Sequence, residues 1–163
     1  MMRALLLALA MSVCATSAYA EDPGRVFAPL MGCWRGAFDG NADMRDRRCF
    51  ERVFDGRYVR DTHTVRPGDY GGETIYFFDV QQQTIAFTYY ASDGGMSSGH
   101  ARTEQGAIVF DAHTYVGADG QTMHMRARWT LEGADRFVAT TEVERDGAWQ
   151  PFRRITYQRQ PAR

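Results

Sequence analysis

The sequence predicts an all-β protein, a single antiparallel β-barrel of about ten strands that follows a short N-terminal helical turn. Runs rich in aromatic and β-branched residues are separated about every ten residues by a turn dipeptide, which is typical of strands joined by hairpins. No segment of a dozen residues shows a helical period. Regular spacing of this kind favours a meander that closes into a barrel. The dipeptides are Asp39-Gly40, Asp55-Gly56, Pro67-Gly68, Asp93-Gly94, Gln105-Gly106, Asp119-Gly120, Glu132-Gly133 and Asp146-Gly147.

The first twenty residues have the three parts of a secretory signal peptide. Arg3 precedes an apolar run from Ala4 to about Val13, and small residues surround Ala20. The run is shorter than the roughly 20 residues that a membrane helix needs. We therefore expect cleavage near Ala20, loss of Cys14, and a periplasmic or secreted protein of one domain, residues 21–163, without a membrane span.

The charge of the chain gives no reason to expect nucleic acid or an anionic membrane as a partner. The formal net charge is −1, and every basic residue is an arginine. These arginines are scattered among acidic residues and form no basic patch.

The start of the domain predicts a short helical turn and then a hairpin held by a disulfide. Asp22-Pro23-Gly24 favours a capped helical turn near the start of the domain. If the next hairpin is centred on Asn41, Cys33 lies directly opposite Cys49. Two cysteines in an exported chain are more often bridged than free, so a Cys33–Cys49 disulfide is expected.

Later hairpins can be registered in the same way. A turn at Asp55-Gly56 places Glu51 opposite Arg60, a favourable cross-strand ion pair. A turn centred on Ala118-Asp119 places Asp111 opposite Arg126 and His113 opposite His124.

The final hairpins extend that register. A five-residue loop around Ala134 brings Glu142 beside Arg126 and Val143 beside Met125.

Two short motifs resemble a known family. Gly32-Cys33-Trp34 resembles the G-x-W signature that opens the first strand of lipocalins and other calycin-type barrels, and the terminal Ile155–Arg159 segment resembles their closing strand. The chain is most similar to an uncharacterised bacterial group of lipocalin-like proteins related to the haem-binding nitrobindins. The resemblance covers most of residues 25–160, and it implies that Trp34 closes one end of the barrel with Arg159 packed across its face.

Strand alternation then predicts the lining of the barrel. If Trp34 points inward, the first two hairpins also direct inward a mixed set of polar and aromatic residues. Charges inside a barrel must pair or meet a ligand, so we expect a cluster of Arg52, Asp61 and His63 that orients a polar head group. A slip of one residue would place the whole set outside instead. The set is Arg48, Phe50, Arg52, Asp61 and His63.

These observations predict a non-enzymatic barrel that binds a small, largely apolar molecule, without a cofactor. No motif for a catalytic nucleophile or a zinc site is present. A mostly apolar pocket with a few polar anchors suits such a ligand. The expected apolar lining is Phe50, Phe110, Met123, Met125, Trp129 and Tyr157.

Two alternatives belong to other classes of protein. A metal protein would use His113 and His124 with Glu144 as a third ligand. Met123 and Met125 suggest copper, but alternation places them on the opposite face from His124. A haem protein is also implied by the resemblance, although the last strands carry no histidine for the iron. The second alternative, after metal and haem proteins, is a packed barrel without a cavity that acts as a structural or interaction module of the cell envelope.

Overall fold

A computed structural model describes residues 22–161 of the chain. The predicted signal peptide, residues 1–20, lies outside the described residues. The domain begins with a four-residue helix, α1 (Pro23–Val26), and a 3₁₀ turn (Ala28–Leu30), followed by ten strands. The strands are β1 (Gly32–Phe38), β2 (Asn41–Val53), β3 (Tyr58–Arg66), β4 (Gly71–Asp79), β5 (Thr84–Ala91), β6 (Met96–Glu104), β7 (Ala107–Val116), β8 (Thr122–Leu131), β9 (Arg136–Arg145) and β10 (Ala148–Arg159).

Each strand pairs antiparallel with the next, and β10 pairs with β1, so the sheet closes into a barrel. The turns provide the backbone conformations that tight hairpins require. Asp146 and Gly147, between β9 and β10, both have positive φ, of 53° and 74°. Two consecutive residues of positive φ match the right-handed twist of the flanking strands, and Asp-Gly is a favoured pair for such a turn. The predicted ten-strand antiparallel barrel is confirmed.

One end of the barrel, the floor, is closed by the segment that precedes β1. The Asp22 side chain accepts a hydrogen bond from the Gly24 amide and caps α1. Phe27 and Leu30 then project into the barrel and are fully buried. Phe27 packs on the ring of Tyr76, with 4.1 Å between the ring centroids. The other end of the barrel, the mouth, carries the hairpin turns at residues 39–40, 67–70, 92–95, 117–121 and 146–147.

Trp34 completes the floor, as its motif implied. Its side chain is fully buried, its indole N–H donates to the Leu30 carbonyl at 2.7 Å, and its ring meets Phe137 edge-on at 4.9 Å. Arg159 is its register partner on β10, and the guanidinium carbon lies 4.1 Å from the centroid of the indole. The predicted contact between Trp34 and Arg159 is therefore present.

Most of the predicted registers are confirmed. Cys33 lies opposite Cys49, and the two form a disulfide. Glu51 pairs with Arg60 in both register and charge.

The register across β8 and β9 is also as predicted. Arg126 lies opposite Glu142 and Met125 opposite Val143.

The predicted register between β7 and β8 is wrong near the mouth. His113 lies opposite Met125, and His124 lies opposite Thr114, because a β-bulge shifts β7 between Phe110 and His113. A bulge adds one residue to one strand and thereby reverses the faces of every residue beyond it. His113 therefore turns into the barrel, and Asp111 pairs with Arg102 on β6 rather than lying opposite Arg126.

Within residues 22–161, no helix is long and apolar enough to cross a membrane.

Candidate binding cavity

The half of the barrel nearer the mouth contains a cavity of about 250 Å³. Below it, the barrel is filled by an aromatic core that reaches the floor. Three kinds of side chain line the cavity, namely apolar ones, buried charges at its base, and tyrosines toward its mouth. The lining residues that the following argument uses are Asp46, Arg48, His63, Tyr70, Phe87, Tyr89, Phe110, His113, Tyr115, Met123, Met125, Trp129, Thr141, Phe152, Arg153 and Tyr157.

The apolar wall is built from aromatic rings on β5, β7 and β8 that contact one another inside the barrel. Phe87 on β5 meets Phe110 on β7 edge-on, with 5.5 Å between the centroids. Phe110 in turn lies 4.7 Å from Trp129 on β8. Met123 and Met125 extend this wall toward the mouth. Methionine side chains adapt to varied shapes, so this wall suits an apolar ligand without fixing its outline.

A buried arginine lies at the base of the cavity between two buried carboxylates. Arg48 donates from Nη1 to Asp61 Oδ2 at 2.8 Å, and its Nε lies 3.5 Å from Asp46 Oδ2. The exposed fraction is 14 % for the Arg48 side chain, 1 % for Asp46 and 0 % for Asp61. The guanidinium also lies over Trp129, 5.0 Å from its ring centroid. Such a triad costs desolvation energy, and it is retained only where pairing and hydrogen bonds compensate.

A chain of hydrogen bonds runs from this base to the mouth along one wall. Tyr157 donates to Asp46 Oδ2 at 2.5 Å. His63 Nδ1 lies 3.3 Å from the other oxygen of Asp46, and His63 Nε2 lies 3.0 Å from the Tyr89 hydroxyl. The Tyr89 and Tyr70 hydroxyls are 3.0 Å apart. Because Asp46 can only accept when it is ionised, His63 donates to it from Nδ1.

The two carboxyls beside Arg48 have opposite pKa shifts. At Asp46, burial raises the pKa, but the hydrogen bond from His63 and the charge of Arg48 together outweigh burial and lower it below its ordinary value. At Asp61, burial dominates and raises the pKa despite the adjacent Arg48. Asp61 Oδ1 and Arg48 Nε are both buried and have no hydrogen-bond partner in the described part of the chain. The base is therefore electrostatically compensated but not fully hydrogen-bonded.

Two glycines make room for the tyrosines near the mouth. A Cβ at Gly72 would lie 2.4 Å from Tyr89 Cε2, and a Cβ at Gly95 would lie 1.9 Å from the Tyr115 hydroxyl oxygen. No side chain other than glycine fits at either position without displacing a ring. The tyrosine wall is thus specified by glycines on β4 and in the turn before β6, a pattern that sequence reasoning missed.

Two additional polar side chains line the cavity. The bulge in β7 brings in His113, whose Nδ1 donates to the Asp111 carbonyl at 2.8 Å. Burial lowers the pKa of His113 to about 4, so the ring is neutral at physiological pH. Arg153 lines the cavity in regular alternation with Ile155 and Tyr157 on β10. Alternation from Phe110 could not assign His113 to the interior, whereas alternation from Tyr157 assigns Arg153 there.

The predicted lining residues divide into three groups. His63, Phe110, Met123, Met125, Trp129 and Tyr157 all line the cavity. Phe50 is buried below the cavity, against Phe27 and Trp129. Asp61 does not line the cavity and is hydrogen-bonded to Arg48, which does.

The predicted cluster of Arg52, Asp61 and His63 includes the wrong arginine. Arg52 is exposed near the floor and donates to the Gly24 carbonyl at 2.5 Å. It follows the inward alternation, but its position near the end of β2 lets its long side chain reach solvent. Arg48, four residues earlier, is the arginine that pairs with Asp61. The cluster also includes Asp46, which the same alternation would have found two residues before Arg48.

The metal site of His113, His124 and Glu144, considered as an alternative, does not form. His113 faces the cavity, whereas His124 and Glu144 contact each other at 2.5 Å on the outer surface. Among residues 22–161, no group of three or more histidine, cysteine, aspartate or glutamate side chains could hold a metal ion.

The chain matches a family of known sequences. A protein-family model described as "Protein of unknown function (DUF1579)" matches residues 23–159, which is nearly the whole described domain. No curated protein matches the chain.

Proposed function

The chain belongs to the DUF1579 family, and we propose that it is an exported, non-enzymatic barrel that binds a small, largely apolar molecule inside. The observation that carries this proposal is the cavity near the mouth, with its apolar wall and its few fixed polar groups. Small-molecule sites have this composition, because apolar surface provides affinity and a few placed polar groups provide orientation.

The size of the cavity limits the ligand. Its volume of about 250 Å³ lies just below the usual range of about 300–1,000 Å³ for ligand pockets. One aromatic ring with a short side chain fits within this limit.

The polar groups at the base support binding rather than catalysis. Arg48 is held by Asp61, and His63 is held between Asp46 and Tyr89. Groups that are committed to one another in this way are better suited to fix the shape of the cavity than to exchange protons with a substrate. We therefore assign them a structural and orienting role.

Export is supported by two features of different parts of the chain. The first twenty residues have the pattern of a signal peptide. The Cys33–Cys49 disulfide links adjacent strands in the domain, and disulfides persist mainly in oxidising compartments such as the periplasm. We propose that the mature protein acts there or outside the cell.

We also propose a lipocalin-like ancestry for the barrel. It is supported by the closed antiparallel barrel and by the contact of Trp34 with Arg159 at its floor. In barrels of this type, the interior is the binding site.

Tryptophan fluorescence tests the proposal, because Trp129 lines the cavity. Trp149 packs on the side chains of Arg126 and His124, which are exposed, so Trp149→Phe removes a signal unrelated to the cavity. In this background, we expect small aromatic and medium-chain compounds to quench or shift the emission in a saturable manner. Trp129→Phe in the same background is the control and should lose the response. Absence of any response across a broad panel would contradict ligand binding.

A further inference from the structure

Arg153 lies on the inner face of β10, next to the bulge near the mouth. It is opposite Thr141, which lines the cavity, whereas Pro151, before the bulge, is opposite Glu142 on the outer face. Arg153 shares its face with Ile155 and Tyr157, which also line the cavity, as regular strand alternation requires. Alternation from Tyr157 therefore places a cation at the mouth of the cavity.

Arg153 has no counter-charge in the described part of the chain. No carboxylate there forms an ion pair with it, and its guanidinium carbon lies 4.7 Å from the ring centroid of Phe152, another lining residue. The neighbouring Arg154 offers a contrast, since its Nε lies 3.1 Å from Asp39 Oδ2. Arg153 is exposed at the mouth, and an arginine there that lacks an acidic partner is available to an anion from outside the protein.

The electrostatics of the cavity decide where such an anion binds. The positive charge at the base belongs to Arg48, which is already matched by Asp46 and Asp61. A third carboxylate placed beside them would be repelled by two like charges in a buried region. At the mouth, the cavity is lined by the cation of Arg153, and Thr141, its register partner, provides a neighbouring hydroxyl.

We propose that the ligand is a small monocarboxylic acid with a compact apolar body, held with its carboxylate against Arg153 at the mouth. The apolar body occupies the cavity below, against Phe110, Met125 and Trp129. The planar guanidinium presents paired N–H donors that match the two oxygens of a carboxylate. This inference rests on the proposed function and deepens it by naming the class of ligand.

A matched pair of probes tests the inference, namely 3-phenylpropanoate and 3-phenylpropanamide. The two have the same apolar body and nearly the same shape, and only the first is charged. Binding of each is measured by isothermal titration calorimetry to the wild type, to Arg153→Gln and to Arg154→Gln, at low and at high salt. Arg154→Gln is the matched control, because it removes a neighbouring arginine whose ion pair lies with Asp39 and not in the cavity.

We expect the acid to bind wild type about tenfold more tightly than the amide, since a hydrogen bond to a charged group is stronger than one between neutral groups and part of that gain is lost to solvent at the mouth. Arg153→Gln should remove this preference, Arg154→Gln should keep it, and high salt should weaken only the acid. Equal binding of the two probes to wild type, or an unchanged preference in Arg153→Gln, would overturn the carboxylate inference while leaving the proposed cavity intact. Binding of neither probe, together with silence across the fluorescence panel, would overturn both.

Discussion

Removing Trp34 tests whether the floor of the barrel is closed as described. Trp34→Ala deletes a fully buried indole, its hydrogen bond to Leu30, and its edge contact with Phe137. Loss of a buried large aromatic residue costs about 3–5 kcal/mol, and little relaxation is expected because the neighbours are held by strand pairing. We expect Trp34→Ala to lower the free energy of unfolding by this amount.

Arg159→Ala should cost less than Trp34→Ala, about 2–3 kcal/mol. Arg159 donates to the carbonyls of Pro29, Met31 and Ala134 at 2.7–3.0 Å, and so ties the segment before β1 to the turn before β9. Each hydrogen bond from a charged group contributes about 1.5–3 kcal/mol when buried. The guanidinium lies at the rim, however, where water replaces part of this stabilisation.

The double variant, Trp34→Ala with Arg159→Ala, tests whether the two losses of stability are independent of each other. The guanidinium and the indole are in contact at 4.1 Å, so the two effects should fail to add by about 0.5–2 kcal/mol, the range of a cation–π contact. Urea unfolding followed by circular dichroism gives all four free energies, provided that the slopes agree. If the two losses simply sum, Trp34 and Arg159 do not act together, and the reasoning about the floor is refuted.

Three other perturbations have definite expected outcomes. Replacing Cys33 and Cys49 together by alanine should lower the free energy of unfolding by about 3 kcal/mol, because the disulfide closes a loop across a sequence separation of 16 residues; urea unfolding measures this, and an unchanged midpoint would contradict it. Arg48→Met should destabilise by about 3–5 kcal/mol, since it leaves Asp46 and Asp61 buried without a cation; the double variant with Asp61→Asn should recover part of that loss, and no recovery would argue against the pairing. The pKa of His113 is lowered from 6.5 to about 4 by burial, so the unfolded state takes up a proton before the folded state does, and stability should fall by up to about 3 kcal/mol as pH drops from about 6.5 to 4. His113→Gln should flatten the pH profile in that window, and a profile identical to wild type would refute the burial of a neutral ring.

The barrel could be predicted because each of its signals is local. Asp-Gly turns, alternating strands and the G-x-W motif at Trp34 depend on a few adjacent residues, and each points to the same fold. In the hairpin containing Cys33 and Cys49 the pairing is as predicted, although the turn lies at Asp39-Gly40 rather than at Asn41 and a bulge between Ala37 and Phe38 restores the predicted register. Agreement among independent local signals is what makes a fold readable from one sequence.

The cavity was harder to predict, because its polar residues depend on irregularities that leave no clear trace in the sequence. The bulge at Asp111 and Ala112 shifts the register by one residue and turns His113 to the inner face, whereas His124 stays outside. Nothing in the local composition distinguishes these positions from regular strand, since either pairing forms backbone hydrogen bonds and only packing around the closed barrel selects between them.

The prediction that Arg52 rather than Arg48 pairs with Asp61 was wrong for a different physical reason. Both residues follow the same alternation on β2, so the sequence pattern treats them alike. They differ in height within the barrel. Arg52 is close enough to the floor to leave the interior and reach the Gly24 carbonyl, whereas Arg48 is enclosed and must pair with Asp61.

Filling the cavity is the most direct test of the central claim that it is the binding site. Ala127 lines the cavity on β8, and Thr130 is exposed on the same strand. Ala127→Phe should occupy the space that a ligand uses, and Thr130→Phe is the matched control on the outer surface. Binding of 3-phenylpropanoate to both variants is measured by calorimetry, after urea unfolding has shown that each remains folded. The account predicts that Ala127→Phe loses binding by tenfold or more while Thr130→Phe binds as wild type does, and undiminished binding to a folded Ala127→Phe protein would contradict it.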